Sequence, residues 1–479
     1  MRIVALAGLT YVVACKAFEP GVVDRVESSA AVVASPPLLN PASGGADFVD
    51  RPNVLVVLLD DVGQDKLLAW EPTAKAPPTP TIDGLVHTGL LFHNAYAAPV
   101  CQAGRMALLT GRWGRRTGVG SNTNPGEEGW VARDDEGTVA HVLAHGGWST
   151  ALVGKWHLAT YDTVDPLADA ARRGFSRWQG TFANLYDTVG NHPGLGTYYA
   201  WEKIDDGEFY PVYEYVTSVQ VDDVLDKSES LPEPWFLMWA PNAAHDPWMA
   251  PPPDLLDSTA AQATVQAYDD TLAAFDVELG RLLAGLDPDR RSHTLIVLAA
   301  DNGTPKKAMV APFDPSRAKA TIYDGGTLVP MVWNGPGVAV GETDALVHLV
   351  DVLPTLANWL GLEASWSPFG PQIIDGRSFA RTLSDPGAPA RDVVFQEYFL
   401  PNGDAFASDL DLVAVRNPDH KLIRDIQTGE ELFFAYESGV PGEGPNLMLV
   451  GLTAAQETVR AQLGAEVDAF VQGVLWAGP

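Results

Sequence analysis

Between Asn53 and Leu59 the chain reads NVLVVLL and then stops abruptly at Asp60-Asp61. A run with so few polar positions cannot leave one face in water, so it belongs in the middle of a parallel sheet covered on both sides. Similar runs at Ser149 to Val153, Trp235 to Trp239 and Thr294 to Ala299 are separated by segments of helical character. The clearest helix carries Val265, Tyr268, Leu272, Phe275, Leu279, Leu282 and Leu286 at three- and four-residue spacing. Alternation of this kind predicts an α/β fold with a large, mostly parallel sheet flanked by helices. Near the C-terminus shorter pieces follow, Val393 to Tyr398, Leu412 to Arg416, Lys421 to Asp425 and Glu431 to Phe434, and then a helix over about Thr453 to Val474. We read these as a smaller α+β subdomain on an antiparallel sheet over 389–479, beside a main domain over 51–388.

Lys and Arg number 31 against 61 Asp and Glu, a formal net charge of -30. Such a surface repels phosphate backbones and anionic headgroups, which argues against nucleic-acid binding and requires any anionic substrate to find a local positive site. The two cysteines, Cys15 and Cys101, offer no disulfide framework, so each needs its own explanation.

Met1 and Arg2 precede an apolar run from Ile3 to Ala14, too short to span a bilayer but suited to a signal peptide. Its end, Val12-Val13-Ala14-Cys15, resembles the bacterial lipobox, which implies a lipid anchor at Cys15 and an exported, periplasmic or cell-surface lipoprotein. Residues 15–50, rich in Pro, Ser, Ala and Gly, read as a flexible tether.

Open α/β sheets place ligands outside the carboxyl ends of their strands. Asp60 and Asp61 end one predicted strand, and Asp301 and Asn302 end another. Three carboxylates and an amide oxygen at one sheet edge suit a hard cation, calcium or magnesium. The same sequences also serve as ordinary turns and helix caps that need no metal. Cys101 opens an apparent helix in PVCQAGRMALLTGR, with Arg105 one turn on. Taken bare, it is either a thiol activated by the helix N-terminus or a buried structural cysteine.

The segment Cys101 to Arg112 resembles the sulfatase signature, Cys-x-Pro/Ala-x-Arg followed by a small, apolar helix and Thr-Gly-Arg. The commoner form is Cys-x-Pro-Ser-Arg, where this chain has Ala103 and Gly104. Further likenesses follow in the family's order: Arg51-Pro52-Asn53 with Asp60-Asp61, Thr79 to Asp83 with Phe92, Gly154-Lys155-Trp156-His157, Asn242 to Pro247, Asp301-Asn302-Gly303, and Lys319 to Gly326. Asp351 with Leu353-Pro354-Thr355, Val415-Arg416 and Lys421-Leu422-Ile423 continue them into the C-terminal part. The chain thus looks like a formylglycine-dependent, arylsulfatase-like member of the alkaline phosphatase superfamily.

That resemblance implies hydrolysis of a sulfate monoester of a carbohydrate or aryl alcohol. It implies a formylglycine nucleophile made from Cys101 by a maturase, and one calcium ion held by Asp60, Asp61, Asp301, Asn302 and the matured Cys101. The hydrate of formylglycine has two hydroxyls, one to attack sulfur and one to expel sulfate afterwards. By the same resemblance, Arg105 steadies the nucleophile, Lys155 and Lys319 bind sulfate oxygens, His157 deprotonates the second hydroxyl and His245 faces the leaving oxygen. Two alternatives stand beside it: a phosphodiester or phosphonate monoester hydrolase of the same superfamily, and a non-catalytic lipoprotein that binds anionic glycans. The aromatic stretch from Asn184 to Tyr215 reads either as a sugar-stacking wall or as ordinary core or loop support.

Overall fold

The structure, a computed structural model, describes residues 51–479 apart from 71–74, 124–132, 162, 164, 191, 438–441 and 475–479. The signal peptide, Cys15 and the tether lie outside the described residues. Ten strands form one mixed sheet, ordered Gly341–Thr343, Leu90–Phe92, Met331–Asn334, Thr294–Ala300, Asn53–Leu59, Trp235–Ala240, Ser149–Lys155, Arg177–Thr181, Trp201–Asp205 and Glu208–Val212. The five strands from Thr294–Ala300 to Arg177–Thr181 run parallel. Every residue of Asn53–Leu59 and Thr294–Ala300 is buried, as runs that cannot face water require.

Helices cover the sheet. The apolar stripe of Val265–Gly285 buries Tyr268, Leu272, Phe275, Leu279 and Leu282. Helix Val216–Ser230 packs beside it, and Cys101–Thr110, buried along its whole length, lies against the segment Leu349–Asp351. A separate antiparallel sheet runs Val394–Leu400, Leu410–Arg416, His420–Asp425, Glu431–Ala435, with helix Ala454–Gly473 packed on its two middle strands.

Register decides what meets at the sheet edge. Leu59 pairs with Ala300, Val57 with Trp239 and Gly154 with Ala240, so the central strands end at nearly one level. The residues that follow, Asp60-Asp61, Asp301-Asn302, Lys155 to His157 and Asn242 to His245, therefore emerge side by side from their carboxyl ends.

Candidate active site

Cys101 is the first residue of its helix and fully buried, and its Sγ lies 3.3 Å from Asp60 Oδ1 and 3.7 Å from Asp61 Oδ1. A Cβ on Gly104 would stand 2.0 Å from the Asp301 carbonyl oxygen, so glycine is what lets this helix press onto the strand edge. One turn on, Arg105 extends beneath the cysteine. Its Nε donates to Asp301 Oδ2 at 2.9 Å, its Nη2 to Asp60 Oδ2 at 3.1 Å and its Nη1 to the Lys155 carbonyl at 2.7 Å. One guanidinium thus ties together three strand ends.

Two ammonium groups complete the positive side. Lys155 Nζ lies 2.6 Å from Asp60 Oδ2, and Lys319 Nζ lies 2.5 Å from Asp61 Oδ1 and 3.4 Å from Cys101 Sγ. His157 has a left-handed backbone (φ 61), which turns the chain as it leaves its strand. Its ring is buried, and neither nitrogen has a hydrogen-bond partner among the described residues. His245 Nδ1 lies 2.9 Å from the Asp246 carbonyl, which can only accept, so Nδ1 carries the proton and Nε2 faces Asp61 Oδ2 at 3.8 Å.

Burial would raise the Asp60 pKa, but Lys155, His245, Arg105 and Lys319 overcome it and hold this carboxylate well below its usual range. Asp301 is pushed up to about 7 by burial and by the Asp60 charge beside it. Burial and then Asp60 push the Cys101 thiol well above its ordinary value. Burial and the Lys155 charge keep His157 neutral.

The structure brings all ten residues singled out from the sequence to this one edge. Ligand atoms of Asp60, Asp61, Cys101 and His245 lie within 4.8 Å of one another. Asn302 Nδ2 donates to Asp61 Oδ1 at 2.9 Å, while its Oδ1 is buried with no hydrogen-bond partner among the described residues. An orphaned amide oxygen beside buried carboxylates is what a hard cation would satisfy, so the donor set fits a hard divalent ion such as calcium or magnesium.

Sequence reasoning missed two supports. Tyr268, singled out only as part of a helical stripe, donates its hydroxyl to the Asp61 carbonyl at 2.8 Å; a tyrosine in a leucine stripe needs such a partner and could have signalled it. Asn402 accepts from the amides of Gly120 and Ser121 at 3.0 and 2.8 Å and reaches Gln102 Oε1 at 3.5 Å, linking the C-terminal part to the residue after Cys101. No local pattern marks it. The aromatic stretch divides: Tyr198, Trp201 and Tyr215 are core, whereas Tyr186, Phe209, Tyr210 and Tyr213 are exposed.

A family model described as Sulfatase matches residues 52–362. The chain belongs to the sulfatase family. Members of that family are sulfuric ester hydrolases. N-acetylgalactosamine-6-sulfatase of Canis lupus familiaris is 27% identical over 365 residues, covering 70% of this chain and 66% of that protein. The chain therefore spans about two thirds of this relative's length. Among solved structures, Ps i-CgsB in complex with k-i-k-neocarrahexaose has a TM-score of 0.72 at 21% identity, covering 89% of this chain and 95% of that one. A structure solved with its substrate D-glucosamine-2-N,6-O-disulfate has a TM-score of 0.68 at 20% identity, covering 88% of this chain and 99% of that one. At these identities the two structures speak for the fold, a large mixed sheet with a separate antiparallel one.

Proposed function

We propose that this sulfatase-family chain hydrolyses a sulfate monoester of a carbohydrate, with Cys101 matured to formylglycine and one calcium ion. The carrying observation is the convergence on Cys101 of Asp60 at 3.3 Å and Lys319 at 3.4 Å, with Arg105 joining Asp60 to Asp301. Hydrolysis needs neutralised sulfate oxygens, an in-line oxygen nucleophile and a proton for the leaving oxygen.

Asp60, Asp61, Asp301, Asn302 and the oxidised side chain at position 101 would hold calcium, which when bound supplies Lewis-acid charge to a sulfate oxygen. The formylglycine hydrate supplies paired hydroxyls for attack and for sulfate release. A thiol whose pKa is raised by burial and by Asp60 is a poor nucleophile itself, which favours a role as the precursor. Arg105, with its donors committed to Asp60, Asp301 and the Lys155 carbonyl, holds the carboxylates in place. Lys155 and Lys319 bind sulfate oxygens as point charges. His157, neutral and with both nitrogens unengaged, takes the proton of the second hydroxyl. His245, fixed through Nδ1, presents Nε2 to the leaving oxygen and protonates it when charged. A maturase acting on the Cys-x-Ala-Gly-Arg sequence and export with a lipid anchor at Cys15 belong to the same reading.

The test is a panel of sulfated sugars, an aryl sulfate and matched phosphate esters, run on protein co-produced with a formylglycine-generating system. Sulfate release should exceed phosphate release, and Cys101→Ala should abolish it. Conversion lowers the mass of the Cys101 peptide by about 18 Da. Full activity in Cys101→Ala would remove the nucleophile, and faster phosphate release would reassign the enzyme.

A further inference from the structure

The flank of the site faced by His245 carries groups that the hydrolysis leaves unused. Tyr186 is 51% exposed, and its ring centroid lies 6.3 Å from that of His245. It stands on a built turn: Asp187 Oδ2 accepts from the Asn184 amide at 3.0 Å and from Asn184 Nδ2 at 2.9 Å. Tyr161 donates to the Thr188 carbonyl at 2.9 Å, bracing the next residues. Gly196 backs the tyrosine closely, since a Cβ there would sit 3.0 Å from Tyr186 Cα. The backbone that carries this exposed ring is therefore fixed before a ligand arrives, which lowers the entropy lost on binding.

Beside it, Asp246 is 58% exposed, with Oδ1 3.3 Å from His245 Nδ1. The charges acting most strongly on the Tyr186 hydroxyl are the carboxylates of Asp246 and Asp187, with Lys319 after them. Lys319 already belongs to the sulfate pocket through Asp61. Lys307, which follows the metal motif, is tied to the Ala263 carbonyl at 2.7 Å. An aromatic face next to carboxylate acceptors suits a neutral sugar, whose C–H face lies on the ring while its hydroxyls donate to the carboxylates. It is a repulsive setting for a second sulfate.

We propose that Tyr186 and Asp246 form a subsite for the sugar ring that carries the scissile sulfate, and that this subsite selects rings with no other anionic group. The inference rests on the sulfatase reading and names its substrate class: monosulfated, otherwise uncharged sugars.

Matured wild-type, Tyr186→Ala and Asp246→Asn proteins are assayed on monosulfated hexoses and N-acetylhexosamines, on their disulfated counterparts, and with inorganic sulfate as inhibitor. The wild type should prefer the monosulfated member of each pair by about tenfold or more in kcat/KM. Tyr186→Ala should lower kcat/KM on the sugars about tenfold, through KM, and leave inhibition by inorganic sulfate unchanged. Asp246→Asn should narrow the ratio between the two substrates, a comparison in which any effect on His245 cancels. Equal or faster turnover of the disulfated sugars overturns the proposal, as does loss of sulfate inhibition in Tyr186→Ala. Calorimetry of the same sugars on the Cys101→Ala protein reads the preference without turnover. There, tighter binding of the monosulfated sugar supports the subsite even if no ester is hydrolysed, an outcome that would sink the hydrolytic reading alone.

Discussion

Asn302 shows how much one side chain says about what is bound. Its Nδ2 is committed to Asp61 and to the Gly303 carbonyl, both at 2.9 Å, while the buried Oδ1 accepts nothing among the described residues. Leaving such an acceptor unmet costs about 1–3 kcal/mol, which a cation would recover. Calcium should therefore raise the Tm of the wild type, by an amount set by mass action, about 2.7 kcal/mol at a hundredfold excess over Kd. In Asn302→Ala the calcium-dependent rise should shrink, read by thermal denaturation with and without chelator. No rise in the wild type would remove calcium from the site. The reading does not depend on maturation, because the carboxylates and the amide are present whether or not Cys101 is oxidised.

At the scale of elements, the segment that carries Lys319 is held from the other sheet. Lys421, on strand His420–Asp425, donates to Asp324 Oδ1 at 2.8 Å, to Glu443 Oε1 at 2.7 Å and to the Ile322 carbonyl at 3.0 Å. Asp324 begins the short helix that ends this loop. Replacing Lys421 by Met leaves two buried carboxylates facing each other, at a cost of about 3–5 kcal/mol. Urea denaturation should show that loss, and inhibition by inorganic sulfate should weaken as Lys319 moves. An unchanged midpoint would mean the clasp holds nothing.

Two other elements make stability depend on acid. His141 Nδ1 accepts from the Thr138 amide at 3.2 Å, and His348 Nδ1 accepts from the Val350 amide at 3.1 Å, which only a neutral ring can do. Burial pushes these histidines down to about 4 and about 3 respectively. The unfolded chain binds their protons first, so their contribution, complete above about pH 6.5, is lost as pH falls toward those lower values. His348→Asn should flatten the decline of stability between pH 6.5 and 4 in denaturant titrations; an unaltered slope would count against this cap as its cause.

These elements also mark what was legible in advance. The parallel core was readable because Asn53–Leu59, Trp235–Ala240 and Thr294–Ala300 are apolar apart from the first residues Asn53 and Thr294, and Val265–Gly285 because its stripe repeats. The outer hairpin Trp201–Asp205 with Glu208–Val212 was not, since four of the five residues in its last strand are exposed and Pro211 interrupts the pattern. Leu90–Phe92 is too short to show a period. Strand Ser149–Lys155 runs two residues past its apolar stretch, carrying Lys155 to the edge, and composition alone does not reveal that. Asn402 was silent for another reason: its partners Gly120, Ser121 and Gln102 are brought to it by tertiary approach.

For the whole molecule the governing quantity is a net charge of -30 around a site whose cations are Arg105, Lys155 and Lys319. All three cations are paired with Asp60, Asp61 or Asp301, so little positive field escapes to guide an anion from afar. Long-range electrostatics then oppose substrate approach, while the contacts that bind sulfate act only at close range. Salt screens the first far more than the second, since the Debye length is about 10 Å at 0.1 M. We expect kcat/KM for a sulfated sugar to rise about two- to threefold as sodium chloride goes from roughly 10 to 100 mM, at fixed calcium. Most enzymes that draw in anionic substrates show the opposite sign. A steady fall with salt would mean that the pocket's cations dominate the far field, and that the acidic surface plays no part in capture.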